Sequence, residues 1–268
     1  PGQVPKVYTN MDQAITYCRA KGPGWHCMTN AEYAAIALWC KANGYYPRGN
    51  NNYGSDHGYP HEKCRPGTVG SDGRINLGLT GSGPNSWTHD GTPNGIYGLN
   101  GDGWEWAIGL RTNNGEIQIL TGNNAAKNTA DLTAGSAEWK AILPDGTLVA
   151  PGTAGTLKID IVSGVPKIST TVKTTTSGDQ WPSTPFKDLA VESGITIPDI
   201  LKALAVFPSD NSDHGGDRFY ARNDGEKCFF RGGGWNGTSH AGVFCLNGDY
   251  PRSASTDSLG FRPAYILL

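Results

Sequence analysis

The sequence has no run of Lys or Arg and no long apolar stretch. Its 268 residues contain 22 Lys and Arg against 24 Asp and Glu, so the formal net charge is -2. A nucleic-acid partner normally requires a basic patch, and a membrane-spanning helix needs about 20 consecutive apolar residues. The composition therefore argues against nucleic-acid binding and against membrane insertion.

Signatures of metal and nucleophile chemistry are also scarce. The sequence contains no C-x2-C pair and no G-x-S-x-G nucleophile elbow. Asp56-His57 and His61-Glu62 place His beside carboxylates, but in a polar loop, and we predict no metal site and no cofactor. His214 lies in the polar stretch 209–216, which we interpret as a solvated turn.

Cysteine is infrequent for a chain of this length. Six cysteines allow three disulfides in 15 connectivities, yet small disulfide-stapled domains are much richer in cysteine. Two of the six fall on the apolar faces of predicted helices. We therefore predict reduced, mostly buried thiols at Cys18, Cys27, Cys40, Cys64, Cys228 and Cys245.

What is abundant is glycine, with 38 residues, roughly twice the average usage of about 7%. Two amphipathic helices are nevertheless clear near the start. Asn10 and Gln13 can cap the first helix, whose apolar positions recur at helical spacing, and Gly22 ends it. Thr29 and Glu32 form a capping box for the second, which ends at Gly44.

Short strands dominate the rest of the chain. Alternation in 104–111 and 116–120, across Asn113-Asn114-Gly115, predicts a β-hairpin with a tight turn. Residues 123–190 change composition, and we interpret them as an inserted β segment able to contact a partner subunit. Pro198 begins a short helix. These elements predict one α+β domain over 1–268, with two helices packed on short twisted antiparallel strands joined by long ordered loops.

The last forty residues contain a recurring frame of costly residue types: Arg231-Gly232-Gly233-Gly234-Trp235, Ala241-Gly242-Val243-Phe244, Arg252-Ser253 and Gly260-Phe261-Arg262-Pro263. The residues between these motifs share no chemistry, charge sign or period. A catalytic site would require specific acids and bases at such positions. The pattern instead indicates a scaffold that carries an arbitrary surface.

In this order and spacing, the frame resembles the variable proteins of diversity-generating retroelements, in which an error-prone reverse transcriptase diversifies scattered codons. Matching segments continue at Gly24-Trp25-His26, in Arg48–Tyr53 and at Gly103-Trp104-Glu105-Trp106. The resemblance covers roughly residues 1–122 and 197–268. It implies a C-type-lectin-like fold of the branch that includes the formylglycine-generating enzymes.

The resemblance also implies a non-enzymatic binding protein whose variable ligand-binding region spans 224–262. We expect its varied positions to share one exposed surface. They are Asp224, Phe230, Gly234, Asn236, Gly237, His240, Gly248, Asp249, Tyr250, Ala254, Thr256, Asp257 and Ser258. The scaffold positions are Arg231, Trp235, Arg252, Phe261 and Arg262, of which Trp235 and Phe261 are expected to fill the core.

Two alternatives stay open. The motifs at 103–106 and 260–262 also resemble the formylglycine-generating copper oxidases, which would make Cys228 and Cys245 the reactive pair, although their apolar contexts raise thiol pKa values. A sugar-binding lectin is the second alternative, but the calcium-dependent sugar triplets are absent. For the favoured interpretation, the expected partner is a host-cell surface protein or glycan, bound from a phage tail or a bacterial surface by a monomer or homo-oligomer.

Overall fold

The protein has an α+β fold, seen in a computed structural model that describes residues 1–267. Within that range the α-helices are α1 Met11–Arg19, α2 Asn30–Ala42 and α3 Asp199–Ala203. The strands are β1 Trp25–Cys27, β2 Trp104–Asn113, β3 Glu116–Leu120, β4 Trp139–Ile142, β5 Leu148–Val149, β6 Lys158–Val162, β7 Val165–Ser169, β8 Ser183–Pro185, β9 Ala190–Val191, β10 Arg218–Ala221, β11 Glu226–Gly232, β12 Gly242–Tyr250, β13 Leu259–Phe261 and β14 Pro263–Tyr265. Four short 3-10 helices are Asn85–Trp87, Thr121–Ala126, Phe186–Asp188 and Thr238–His240.

Both predicted N-terminal helices are confirmed, together with their caps. The Asn10 side chain accepts the Gln13 backbone N–H at 2.9 Å, and the Gln13 side chain accepts the Asn10 N–H at 3.1 Å. Thr29 and Glu32 make the same reciprocal pair at the start of α2. Each box satisfies two backbone donors that a helix start leaves free, so local sequence fixes both starting points.

The strands form one large mixed sheet and one small ribbon. The main path runs β8-β10-β12-β11-β2-β3-β6-β7-β9, with β13 beside β2 and the β4–β5 pair beside β3, while β1 pairs with β14. Three neighbouring pairs are parallel: β10 with β12, β2 with β13, and β7 with β9. The prediction of a purely antiparallel sheet was therefore wrong, because long connections bring sequence-distant strands together in parallel.

The predicted hairpin is confirmed as β2 and β3. Asn113 pairs with Glu116, and the two residues between them, Asn114 and Gly115, have φ angles of 48° and 79°. Positive φ at both positions is what a two-residue hairpin turn requires. A side chain at Gly115 would place its Cβ 2.7 Å from the Ile159 carbonyl oxygen, so close packing also requires glycine there.

Segment 123–190 is integrated into this sheet. Its strands β4 and β6 pair with β3, whereas β8 pairs with β10 at the opposite edge. Ile159, Ile168 and Phe186 are fully buried and join the apolar cluster that contains Tyr33 of α2. The segment thus contributes to the core of the domain rather than forming a separate excursion.

Two apolar clusters lie on opposite sides of the central strands. Phe229, with α2 and α3, belongs to the first cluster, and its neighbour Phe230, with α1, belongs to the second. Successive strand residues point to opposite faces of a sheet. Consequently α1 covers part of one face, and the candidate site lies on the part of that face that α1 leaves open.

The scaffold arginines have structural contacts. Arg231 is fully buried, and its guanidinium donates to the Asn30 side chain at 2.8 Å and to the Leu204 and Ala205 carbonyls at 3.0 Å. Arg262 donates to the Gly98 carbonyl and to both carboxylate oxygens of Glu105. Arg252 bridges Glu226, Asp12 and the Leu132 carbonyl.

The aromatic scaffold positions differ from each other. Trp235 is buried, with 8% of its surface exposed, as expected. Phe261 is only half-buried and stacks on Tyr17 at a ring distance of 5.9 Å. The expectation that Phe261 fills the core was therefore wrong, because the short strand β13 places its ring at the edge of the second cluster.

We predict that Arg231→Met lowers the free energy of unfolding by about 3 kcal/mol, because it leaves the Ala205 carbonyl and the Asn30 side-chain oxygen without a donor in the interior. Urea denaturation measures the change. Arg65→Met removes the same charge from an exposed position and should leave the midpoint unchanged. Equal midpoints for Arg231→Met and Arg65→Met would contradict a structural role for Arg231.

Candidate functional site

A cleft of about 420 Å³ opens on the uncovered part of the sheet. It spans five neighbouring strands, β10, β12, β11, β2 and β13, together with the chain between β12 and β13. Its volume falls within the range of about 300–1,000 Å³ that is typical of small-molecule sites. The lining residues are Trp104, Trp181, Tyr220, Phe230, Asn247, Asp249, Tyr250, Thr256, Asp257, Ser258 and Leu259.

Strand register explains why these side chains converge. Tyr220 and Phe230 both lie directly across from Asn247, so the three form one row across β10, β12 and β11. Directly paired residues point to the same face, as do residues two apart along a strand. Asp249 therefore lies on the same face, and so does Trp104, two residues before the partner of Phe230 on β2.

Five aromatic rings form a continuous wall. Trp104 meets the rings of Tyr220 and Phe230 edge to face, at 6.1 and 5.1 Å between centroids. Phe230 lies 5.6 Å from Tyr250, which in turn lies 5.6 Å from Trp181. Trp181 is half-exposed and stands at the rim, whereas Phe230 is buried at the base. Such a wall offers ring faces and edges to a ligand without rearrangement.

The carboxyl group of Asp249 is the buried ionisable group of the cleft. Only 4% of the residue is exposed, and among the described residues Oδ1 has no hydrogen-bond partner. Burial raises the pKa of Asp249 to about 7, against the lowering effects of the Arg222 charge and of Asn247. A carboxyl group in this state changes charge near neutral pH and has a free acceptor.

The loop that closes the cleft is anchored by backbone hydrogen bonds. The Trp104 N–H donates to the Ser258 carbonyl at 2.7 Å, and the Tyr8 N–H donates to the Thr256 carbonyl at 2.8 Å. The Thr256 and Ser258 hydroxyls lie 3.3 Å apart. Main-chain hydrogen bonds thus anchor the loop to the rest of the domain, and within the loop the Thr256 hydroxyl accepts the Ser258 N–H at 3.4 Å.

Six of the predicted ligand-contacting residues line this one cleft: Phe230, Asp249, Tyr250, Thr256, Asp257 and Ser258. Gly234 lies next to it. A Cβ at Gly234 would lie 3.3 Å from the Trp104 indole nitrogen. His240 is exposed and lies 3.5 Å from Arg218, which is two residues before Tyr220 on β10. Asn236, which is exposed, and Gly237, which is half-buried, belong to the same β11–β12 loop as His240. Ala254 packs half-buried against the second cluster.

The expectation of a uniformly exposed face was wrong for four positions. Phe230, Gly234, Gly248 and Asp249 are buried. Gly248 lies outside the cleft on the core side, where a Cβ would lie 2.5 Å from the Phe229 ring, so packing restricts this position to glycine. Phe230 and Asp249 line the base of the cleft, so both residues are shielded from solvent and still face the cleft.

Asp224 also lies outside the cleft. Its carboxylate pairs with Arg222 at 2.9 Å and with Lys227 at 3.1 Å. The Arg222 guanidinium lies 5.6 Å from the Trp181 ring. Asp224 therefore holds two cations behind the rim of the cleft and does not line it.

Five lining residues were not predicted as ligand contacts: Trp104, Trp181, Tyr220, Asn247 and Leu259. Trp104 belonged to a motif that we had assigned to the scaffold resemblance, and Asn247 stood between frame motifs. Trp181 lies in segment 123–190, for which the sequence showed no resemblance. A Trp in an otherwise polar loop and the adjacent aromatic residues Phe219 and Tyr220 of β10 were the available signals.

The polar stretches near His57 and His214 have different environments. His57 and His61 are exposed. His214 is fully buried between Phe244, at 4.8 Å between ring centres, and Phe186, at 5.5 Å. The prediction of a solvated turn at His214 was therefore wrong, because the imidazole ring packs against aromatic side chains in the interior. Among residues 1–267 no cluster of three His, Cys, Asp or Glu side chains could hold a metal ion.

The six thiols are buried, and none forms a disulfide in the described chain, in agreement with the prediction. Burial raises the pKa of Cys228 to about 12 and that of Cys245 well above its ordinary value. Cys228 pairs with Tyr250, five residues beyond Cys245 on β12. At about 3.3 Å per strand residue, the two thiols are too far apart to share one metal ion.

Comparisons with family models and with curated proteins find no match for this chain. In the described residues no helix is long and apolar enough to cross a membrane.

We predict that Asp249→Asn makes stability less dependent on pH. The folded pKa of Asp249, about 7, exceeds the ordinary value near 3.9, so the folded state retains a proton that the unfolded chain releases. Stability due to this group therefore falls as pH rises from about 4 to 7. The variant should be more stable than wild type at pH 8, by on the order of 2–4 kcal/mol, with the gain shrinking towards pH 4.

Urea denaturation at pH 4.5, 6 and 8 measures this difference. Asp199→Asn, which neutralises an exposed carboxylate at the start of α3, serves as the matched control. Parallel pH profiles for wild type and Asp249→Asn would show that Asp249 titrates normally in the folded protein.

Proposed function

We propose that the protein is a non-enzymatic binding protein that displays a hypervariable surface on a C-type-lectin-like scaffold, as a variable protein of a diversity-generating retroelement. The carrying observation is that six of the predicted variable positions line one aromatic cleft. They come from three separate parts of the chain, β11, the end of β12 and the loop before β13. Their convergence supports a common role in contacting a ligand.

The contrast between scaffold and cleft supports the same proposal. The scaffold arginines bind backbone carbonyls and carboxylates, while the cleft loop is anchored mainly through its main chain. Substitution of an exposed side chain that makes few contacts usually changes stability little. A surface built in this way tolerates diversification without loss of the fold.

Rigid aromatic side chains combined with small polar groups are also the composition of antibody paratopes. Tyr250 and Trp181 supply large contact areas, and Thr256, Asp257 and Ser258 supply adaptable hydrogen bonds. This combination supports recognition of a host-cell surface protein or glycan, from a phage tail or a bacterial surface. Assembly into a homo-oligomer would increase avidity for such a target.

The alternative of a copper oxidase has less support. Its chemistry would require the Cys228 and Cys245 thiols at one ion, and the strand register separates them. The alternative of a sugar-binding lectin is compatible with the aromatic wall and is included among the outcomes tested below.

We predict that the scaffold and the display surface respond differently to mutation. Trp235→Ala should cost about 3–5 kcal/mol, because it removes a large buried ring. A small library randomised at exposed Asn236, His240 and Asp257 should stay within about 0.5 kcal/mol of wild type. Thermal and urea denaturation of the purified variants measure both effects.

Display of a second library, randomised at the half-buried and exposed cleft positions, tests the binding function itself. Selection against several unrelated soluble proteins should yield binders that remain folded. Library members that melt over a wide range, while Trp235→Ala stays native, would refute the division into scaffold and display surface. Failure of every selection despite folded library members would refute the display function.

A further inference from the structure

We propose that the cleft of this chain binds an alkylated ammonium group, that is, a tertiary or quaternary amine cation, with the Asp249 carboxylate as its counter-charge. The inference rests on the proposed binding function and specifies the chemical class of the ligand. Two features of the cleft support it, its charge and its aromatic rings, and the carboxyl group of Asp249 supplies the counter-charge.

The charge of the lining is negative. Asp249 and Asp257 line the cleft, and none of its lining residues in the described chain is Lys or Arg. Arg222 and Lys227, whose charges act on Asp249, are both paired with Asp224. A ligand in the cleft therefore meets two carboxylates without a competing free cation in the wall, which favours a positively charged group.

The aromatic wall favours the same kind of ligand. Tyr220, Trp104, Phe230, Tyr250 and Trp181 are linked ring to ring. The face of an aromatic ring attracts a cation within about 6 Å, and clusters of such rings recognise methylated and quaternary ammonium groups. Trp181 is the most exposed of these rings and is placed to cover the alkyl groups of an entering cation.

The carboxyl group of Asp249 is placed to act as the counter-charge. Asp249 lines the cleft, and its Oδ1 is buried without a hydrogen-bond partner in the described chain. The aromatic rings distinguish an alkylated from a primary ammonium. Alkyl groups on the cation pack on ring faces, whereas a primary ammonium carries three N–H donors that need polar acceptors when buried.

The experiment compares choline and protonated dimethylethanolamine with 3,3-dimethylbutan-1-ol, the uncharged isostere of choline. Binding to the full chain is measured at pH 8 by tryptophan fluorescence and by isothermal titration calorimetry. Both cations should bind about tenfold or more tightly than the alcohol. Dimethylethanolamine should bind at least as tightly as choline, since its one N–H can donate to the Asp249 carboxylate.

Two variants assign the effect to the cleft. Asp249→Asn should remove the preference for the cations over the alcohol, while Asp199→Asn, an exposed carboxylate outside the cleft, keeps it. Trp181→Ala should weaken choline binding about fivefold or more. Its matched control is Trp39→Ala, because Trp39 is similarly exposed, at 43% against 50%, and does not line the cleft. Far-ultraviolet circular dichroism confirms that each variant is folded.

Equal affinity for choline and the alcohol would overturn the inference, and so would a cation preference that survives in folded Asp249→Asn. Binding of methyl glycosides but not of either cation would replace it with sugar recognition at the same cleft. None of these results affects the library experiments above. The hypothesis of an alkylated ammonium ligand can therefore be refuted while the proposed display function is retained.

Discussion

The buried guanidinium of Arg231 is the contact on which the arrangement of the domain depends. It projects from β11, at the middle of the sheet, and binds the first residue of α2 and the two carbonyls that follow α3. Three elements separated by up to 201 residues in sequence therefore meet at one side chain. A guanidinium can make this junction because its planar fork offers several donors in fixed directions. Burial of such a group is costly unless these donors are used.

With the α2 side of the sheet fixed by this junction, the opposite face is left to α1 and to the cleft. Neighbours Phe229 and Phe230 on β11 show the division, since one ring enters the first apolar cluster and the other enters the second cluster and the base of the cleft. The same strand thus supplies core packing on one face and part of the cleft lining on the other.

Local signals predicted local structure well. The capping boxes at Asn10 and Thr29 and the Asn114-Gly115 turn are determined by residues within four positions of each other, and each has the predicted geometry. Parallel pairing of β10 with β12 and the inward packing of His214 depend on residues far away in sequence. Periodicity contains no information on such contacts, which explains why the antiparallel sheet and the solvated turn were predicted wrongly.

The candidate site shows the same limit in a more specific way. Alternation between scaffold and varied residues located Tyr250, Asp257 and Ser258, because these positions follow one another along the chain. It could not locate Trp181, which reaches the cleft only because β8 pairs with β10 at the sheet edge. The prediction also assumed that every varied position is exposed, whereas Asp249 is buried and lines the cleft. The walls of a cleft shield the residues at its base from solvent. Such a residue has a low exposed fraction although its side chain faces the cleft. Burial alone therefore does not distinguish the proposed scaffold residues from the residues of the cleft in this fold. The sheet face to which the strand register directs a side chain does distinguish them.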